Sequence, residues 1–113
     1  MDQMVEEFRV RLREARHQLL RRVATTDREL ATLERHPAGN FDEDAPTEAA
    51  TTVLSRLEGQ EKHELDEIEA ALARLETGAF GVCEDCGGSI PLARLRAVPS
   101  ARYCLTCQLR RKA

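Results

Sequence analysis

Two Cys-x-x-Cys pairs, Cys83-Glu-Asp-Cys86 and Cys104-Leu-Thr-Cys107, stand with seventeen residues between them and use every cysteine in the chain. Each pair offers two sulfurs from one tight turn, and the intervening segment is long enough to bring the second turn back to the first. That pattern matches a tetrahedral zinc site, in which four thiolates fill all positions and leave none open for water or substrate, so the metal is structural. Gly87 and Gly88 follow the first pair, where a positive φ lets backbone N–H groups turn toward sulfur. Two disulfides or a dithiol redox centre are the competing readings. The start Met1-Asp-Gln-Met-Val-Glu-Glu-Phe8 lacks the basic and apolar regions of a secretory leader, and no βαβ pattern surrounds the cysteines.

The remainder of the chain must fold with little bulk. Among 113 residues there are three Phe, one Tyr and no Trp, while 33% are charged. One elongated domain is expected, stabilised by helix pairing and by metal, whose binding in small ribbons is worth on the order of 10 kcal/mol. No stretch reaches the roughly 20 apolar residues of a membrane span, so a cytoplasmic protein is expected. Net charge is +1 over residues 1–36, −8 over 37–77 and +4 over 78–113. Zinc with four thiolates takes about two charges from the last segment. An acidic middle beside a weakly basic end is a poor footprint for duplex DNA, and no sequence-specific DNA binding is expected.

Apolar residues recur at heptad-like spacing through Val5, Phe8, Leu12, Ala15, Leu19, Val23, Leu30 and Leu33, with Thr26 on the same stripe. This predicts one long helix ending at His36-Pro37, since proline disfavours helical geometry in the residue before it. A second helix is predicted from Asp44, a capping residue, to Thr77, with Gly78 as its left-handed stop. Its stripe is Ala50, Val53, Leu54, Leu57, Glu61, Leu65, Ile68, Leu72 and Leu75, and Gly59-Gln60-Glu61 marks a weak point where a bend is expected. The fold class expected is therefore mainly α: a long antiparallel coiled-coil hairpin over residues 1–77, of roughly 45 Å reach, then a four-cysteine zinc ribbon with a short C-terminal helix over 78–113. The hairpin tip, at about 37–48, is acidic through Asp42, Glu43, Asp44 and Glu48.

No catalytic constellation can be assembled. Ser55 falls within a helix, Ser89 and Ser100 flank the ribbon, and His17, His36 and His63 are scattered along the hairpin, where they are read as solvent-facing. Phe80 and Tyr103 are read as packing residues, Leu95 as ribbon core and Arg94 as a brace for the hairpin base.

The residues Gly78-Ala-Phe80-Gly81-Val-Cys83-Glu-Asp-Cys86-Gly87, Ile90, Arg94-Leu95, Ala97, Pro99, Ala101 and Cys104-Leu-Thr-Cys107-Gln108 resemble the DksA/TraR family. The dense match covers about thirty residues, with the hairpin agreeing in architecture. The resemblance implies a bacterial transcription regulator that binds RNA polymerase, its coiled coil entering the secondary channel and its acidic tip directed at the active site. It implies Asp42, Glu43, Asp44, Glu48 and Ala49 as tip residues; threonine stands at Thr47 where the Asp-x-x-Asp-x-Ala motif of well-known members has its second aspartate. Glu67, Val98 and Gln108 fall where members that bind ppGpp carry basic residues, so weak or no ppGpp dependence through that site is expected. Arg94, Arg96, Arg110 and Arg111 are candidate polymerase contacts, and a monomer is expected. The rival functions are a zinc-ribbon nucleic-acid binder and a redox-sensing adaptor.

Overall fold

A computed structural model describes residues 2–35, 52–57 and 59–112. Its helices are α1 (Asp2–Val23), α2 (Asp27–Glu34), α3 (Gln60–Thr77), α4 (Leu92–Ala97) and α5 (Leu105–Lys112), with residues 52–54 also helical. The tip residues Asp42, Glu43, Asp44, Glu48 and Ala49 lie outside the described residues.

The hairpin pairs α1 with α3. Arg9 meets Glu76 at 3.4 Å and Arg16 meets Glu69 at 3.0 Å, so the two helices run antiparallel. Phe8, Leu12 and Leu19 on α1 and Leu65, Ile68, Leu72 and Leu75 on α3 are buried between them. At roughly 2 kcal/mol for each large apolar side chain, this seam is the main stabilising term of the hairpin. Arg21 and Arg22 close α1 with positive charge in its last turn, the favoured sign there. Gly78 ends α3 at φ 79° and ψ 11°, as its sequence position predicts, and the Ala79 N–H donates to the Arg74 carbonyl at 2.9 Å.

The single helix expected from Val5 to Leu33 is broken. Ala24, Thr25 and Thr26 separate α1 from α2, and α2 folds back so that Glu34 contacts His17 and the Leu33 carbonyl accepts from Arg16 Nη2 at 3.2 Å. Thr26 is extended, at φ −138° and ψ 159°, and its hydroxyl accepts from the Glu29 N–H. Glu29 reaches back to the Thr25 N–H at 2.8 Å and hydroxyl at 2.7 Å. This is a capping box displaced by one residue, and threonine is a good cap but a mediocre helix interior residue. The fold-back also changes the core: Ala15 and Thr26 are exposed, while Leu20 and Leu33 are buried, because α1 is packed by two helices rather than one.

The second arm breaks where its composition is weakest. The Arg56 and Leu57 amides bond to the carbonyls three residues back, and Gly59 at φ 54° precedes α3. Arg56 locks this turn onto the first break, donating to the Val23 carbonyl and, through both terminal nitrogens, to the Glu29 carboxylate at 3.0 and 3.1 Å. The molecule is therefore thicker than the rod expected, with extents of 40 × 35 × 25 Å.

The Arg56 hydrogen bonds, then those of Thr25, hold the Glu29 carboxyl down at about 2. A depressed carboxyl contributes stability that is complete above its unfolded value, 4.5, and lost as pH falls through about 2. Acid titration of helical circular dichroism is expected to show a transition in that window which Glu29→Gln removes; an unchanged transition in the variant would show that the clasp is not what acid releases.

Candidate metal centre and the braced cleft beside it

The cysteines are gathered by two turns. An antiparallel bridge between Val82 and Ser89 closes the first, with Cys83 N–H donating to Gly88 O at 2.8 Å and Ile90 N–H to Gly81 O at 2.8 Å. Gly87 holds φ 73°, as expected for the residue after the first pair; Gly88 does not, but its N–H points at Cys86 Sγ from 3.4 Å. The second turn opens α5, where Gln108 N–H donates to Cys104 O. One backbone bond joins the turns, from Glu84 N–H to Arg102 O at 2.9 Å.

All four Sγ atoms lie within 4.8 Å of one another, and Cys86 and Cys104 sulfurs are 4.0 Å apart. Tetrahedral zinc with bonds of about 2.3 Å requires sulfurs separated by about 3.8 Å, so the donor set fits the ion in number, softness and spacing. None of the four is in a disulfide, and among the described residues no histidine or carboxylate joins the cluster. Cys83 and Cys107 are buried, Cys104 is half-buried and Cys86 is exposed. Backbone N–H groups, that of Cys86 foremost, pull the Cys83 thiol down to about 6. Hydrogen bonding with Cys104 foremost pushes Cys107 up to about 12. Four thiolates this crowded would repel one another, so a cation is what would hold them together.

Arginines tie this centre to the hairpin. Arg102 Nε donates to both Glu67 oxygens at 2.9 and 2.8 Å, and its Nη1 lies 3.6 Å from Glu84. Arg74 Nη2 donates weakly to the carbonyls of Ser100 and Ala101, and burial lowers its pKa. Arg11 Nη2 donates to the Arg96 carbonyl at 2.6 Å. Phe80 packs on Phe8 with ring centroids 5.1 Å apart, which confirms it as a packing residue. Leu95 is buried, as expected, but Arg94 braces the second cysteine turn, donating to Tyr103 O at 3.0 Å, and not the hairpin base. Arg111 forms a fork with Asp85 at 2.9 and 2.8 Å and stacks 4.2 Å from the Tyr103 ring centre. Arg96 faces Glu7 at 3.7 Å, and Arg110 is exposed. His63 is exposed and His17 half-buried.

Glu67, Val98 and Gln108, far apart in sequence, line one open cleft of about 1150 Å³ between the hairpin, residues 97–103 and α5. Arg11, Arg94, Arg102 and Lys112 supply its cations.

Residues 78–113 match the model of the prokaryotic dksA/traR C4-type zinc finger. The chain is 30% identical over 109 residues to the RNA polymerase-binding transcription factor DksA of Caulobacter vibrioides, covering 96% of this chain and 76% of that protein. The chain belongs to the DksA/TraR family. An uncharacterized Aquifex aeolicus protein is 46% identical over 55 residues, 49% of this chain and only 38% of that protein. Transcription factor DksA2 from Pseudomonas aeruginosa superposes with a TM-score of 0.62 at 32% identity, over 96% of this chain and 83% of that one. The architecture is that of the family: a mainly helical coiled-coil hairpin, a four-cysteine finger holding one structural zinc, and a short C-terminal helix.

Cys86→Ser is expected to release zinc and lower the thermal midpoint of the finger, since metal affinity in such modules is folding free energy. Metal analysis beside a melting curve checks it; stoichiometric zinc with unchanged melting would contradict the ligand set.

Proposed function

We propose that this protein regulates bacterial transcription by binding RNA polymerase through its secondary channel. The observation that carries the reading is the alignment of nearly the whole chain with a factor named for binding RNA polymerase. Residues 1–77 serve as the arm, 78–113 as the base, and Asp42, Glu43, Asp44 and Glu48 at the arm's end act near the polymerase active site, with Ala49 beside them. Carboxylates brought into a confined, cationic channel interact far more strongly than on a screened surface. The protein acts in the cytoplasm, as a monomer and without catalysis of its own. No described helix is long and apolar enough to cross a membrane.

Among the base residues, Arg96, Arg110, Arg111 and Lys112 are exposed cations, and Arg94 and Arg111 would contribute only by yielding their internal bonds. The reading includes independence from ppGpp at the cleft. Glu67 is acidic and already accepts from Arg102, while Val98 and Gln108 carry no charge to pair with phosphate.

The test is binding of the labelled chain to its cognate polymerase, competed with a transcript-cleavage factor that occupies the secondary channel. Competable binding is expected, unchanged within about twofold by ppGpp, a shift of less than about 0.5 kcal/mol. An Asp42→Ala, Glu43→Ala, Asp44→Ala variant should still bind and fail to alter initiation. No binding at micromolar concentrations would refute the proposal.

A further inference from the structure

The hairpin is creased across both arms at one level. Arg9 with Glu76 and Arg16 with Glu69 stand seven residues apart on each helix and fix the register. Counted along it, the break at Thr26 falls opposite Gly59, the residue at which the second arm breaks. Neither break is imposed covalently. Residues 24–26 are Ala-Thr-Thr, without proline, glycine or positive φ, and Gly59 adopts helical geometry as readily as its present φ of 54°. Side-chain bonds hold α2 down instead: Thr26 and Glu29 at its start, Arg56 across Val23 and Glu29, and Arg16 at the Leu33 carbonyl.

The apolar pattern fits a second arrangement equally well. Leu19, Thr26 and Leu33 continue one heptad stripe through the junction. If both arms ran straight in the same register, Leu33 would face residue 52 and Leu30 residue 55, within a turn of Val53 and Leu57. These are the side chains that the folded-back form buries or half-buries now. Both forms thus cover Leu30 and Leu33, while Leu20, off that stripe and buried beneath the folded-back α2, is covered only in the form seen here, so the two differ in their caps and in that one side chain.

The geometry points to a two-state hinge at residues 24–26 and Gly59: α2 and residues 52–57 either fold back on α1, as here, or swing into line so that α1 and α2 fuse. The fused helix, from Asp2 to Glu34, would be roughly 50 Å long, against roughly 33 Å for α1 alone. The hinge is a property of the chain alone and does not rest on the polymerase reading.

Probes on non-natural side chains at Gln18 and Arg35, both exposed, leave the zinc thiols untouched. Their backbones should lie about 10 Å apart in the folded-back form and about 26 Å apart in the fused helix. In the zinc-loaded full chain, Thr25→Ala, Thr26→Ala and Glu29→Ala together are expected to raise the long-distance population about tenfold, with no loss of helical ellipticity. Adding Asp27→Pro should restore the short distance. Proline is tolerated at the first position of α2 after extended Thr26, yet breaks a helix that runs through it. A long-distance population that fails to rise, that rises only with falling ellipticity, or that survives Asp27→Pro would overturn the hinge.

Discussion

Four sulfurs within 4.8 Å of one another hold together a module that has little else. Among the described residues, the segment after Gly78 contains one isolated β-bridge, two short helices and few fully buried apolar side chains, chiefly Ile90 and Leu95. Without a cation the crowded thiolates repel, and the module has no core large enough to oppose that. The two turns are joined as well by the Glu84 N–H on the Arg102 carbonyl, and the Arg102 side chain is aimed at Glu67 on α3. A metal held by both turns would thus steady the guanidinium that ties finger to hairpin.

The same device recurs along the arm. Arg16 and Arg56 each satisfy a carbonyl at the end of one helix and a glutamate on another element. Helix ends leave carbonyls without partners, and a guanidinium has enough donors to answer one while forming an ion pair. This accounts for much of the charge in a chain with few aromatics. Its arginines are joints, and the Arg16–Glu69 pair, both partners nearly buried, is one that removal of a single member would break at a cost of about 3 kcal/mol.

The zinc ligands, the left-handed stop at Gly78, the weak point at Gly59 and the seam residues from Phe8 to Leu75 were legible because each depends on neighbours in sequence or on a repeating period. The break after Val23 was missed: the stripe through Leu19, Thr26 and Leu33 predicts one continuous helix, and the residues that cap the break, Thr26 and Glu29, lie within the stretch that stripe runs through. A threonine on an apolar stripe serves either as an interior residue or as a cap, and local pattern does not choose. The braces were not legible. Arg102 meets Glu67 across 35 residues and Arg16 meets Glu69 across 53, and no periodicity connects such partners before the fold brings them together.

The braces also bear on which partners the basic end can serve. A nucleic-acid surface needs several cations free to neutralise phosphates together. Here Arg102 is committed to Glu67 and Glu84, Arg111 to Asp85 and the Tyr103 ring, Arg94 to a carbonyl, and Arg96 faces Glu7, which leaves Arg110 and Lys112 as the exposed cations not so engaged. Exposed pairs such as Arg111–Asp85 are weak and can exchange, but each exchange strands a carboxylate beside the incoming phosphate. Arg102 could exchange only by loosening the finger from the hairpin. The formal charge of +4 over residues 78–113 thus overstates what a polyanion would meet. This is the physical ground for proposing a protein partner: Val98, Leu105 and Leu109 are exposed apolar side chains that a protein could cover and a phosphate backbone could not.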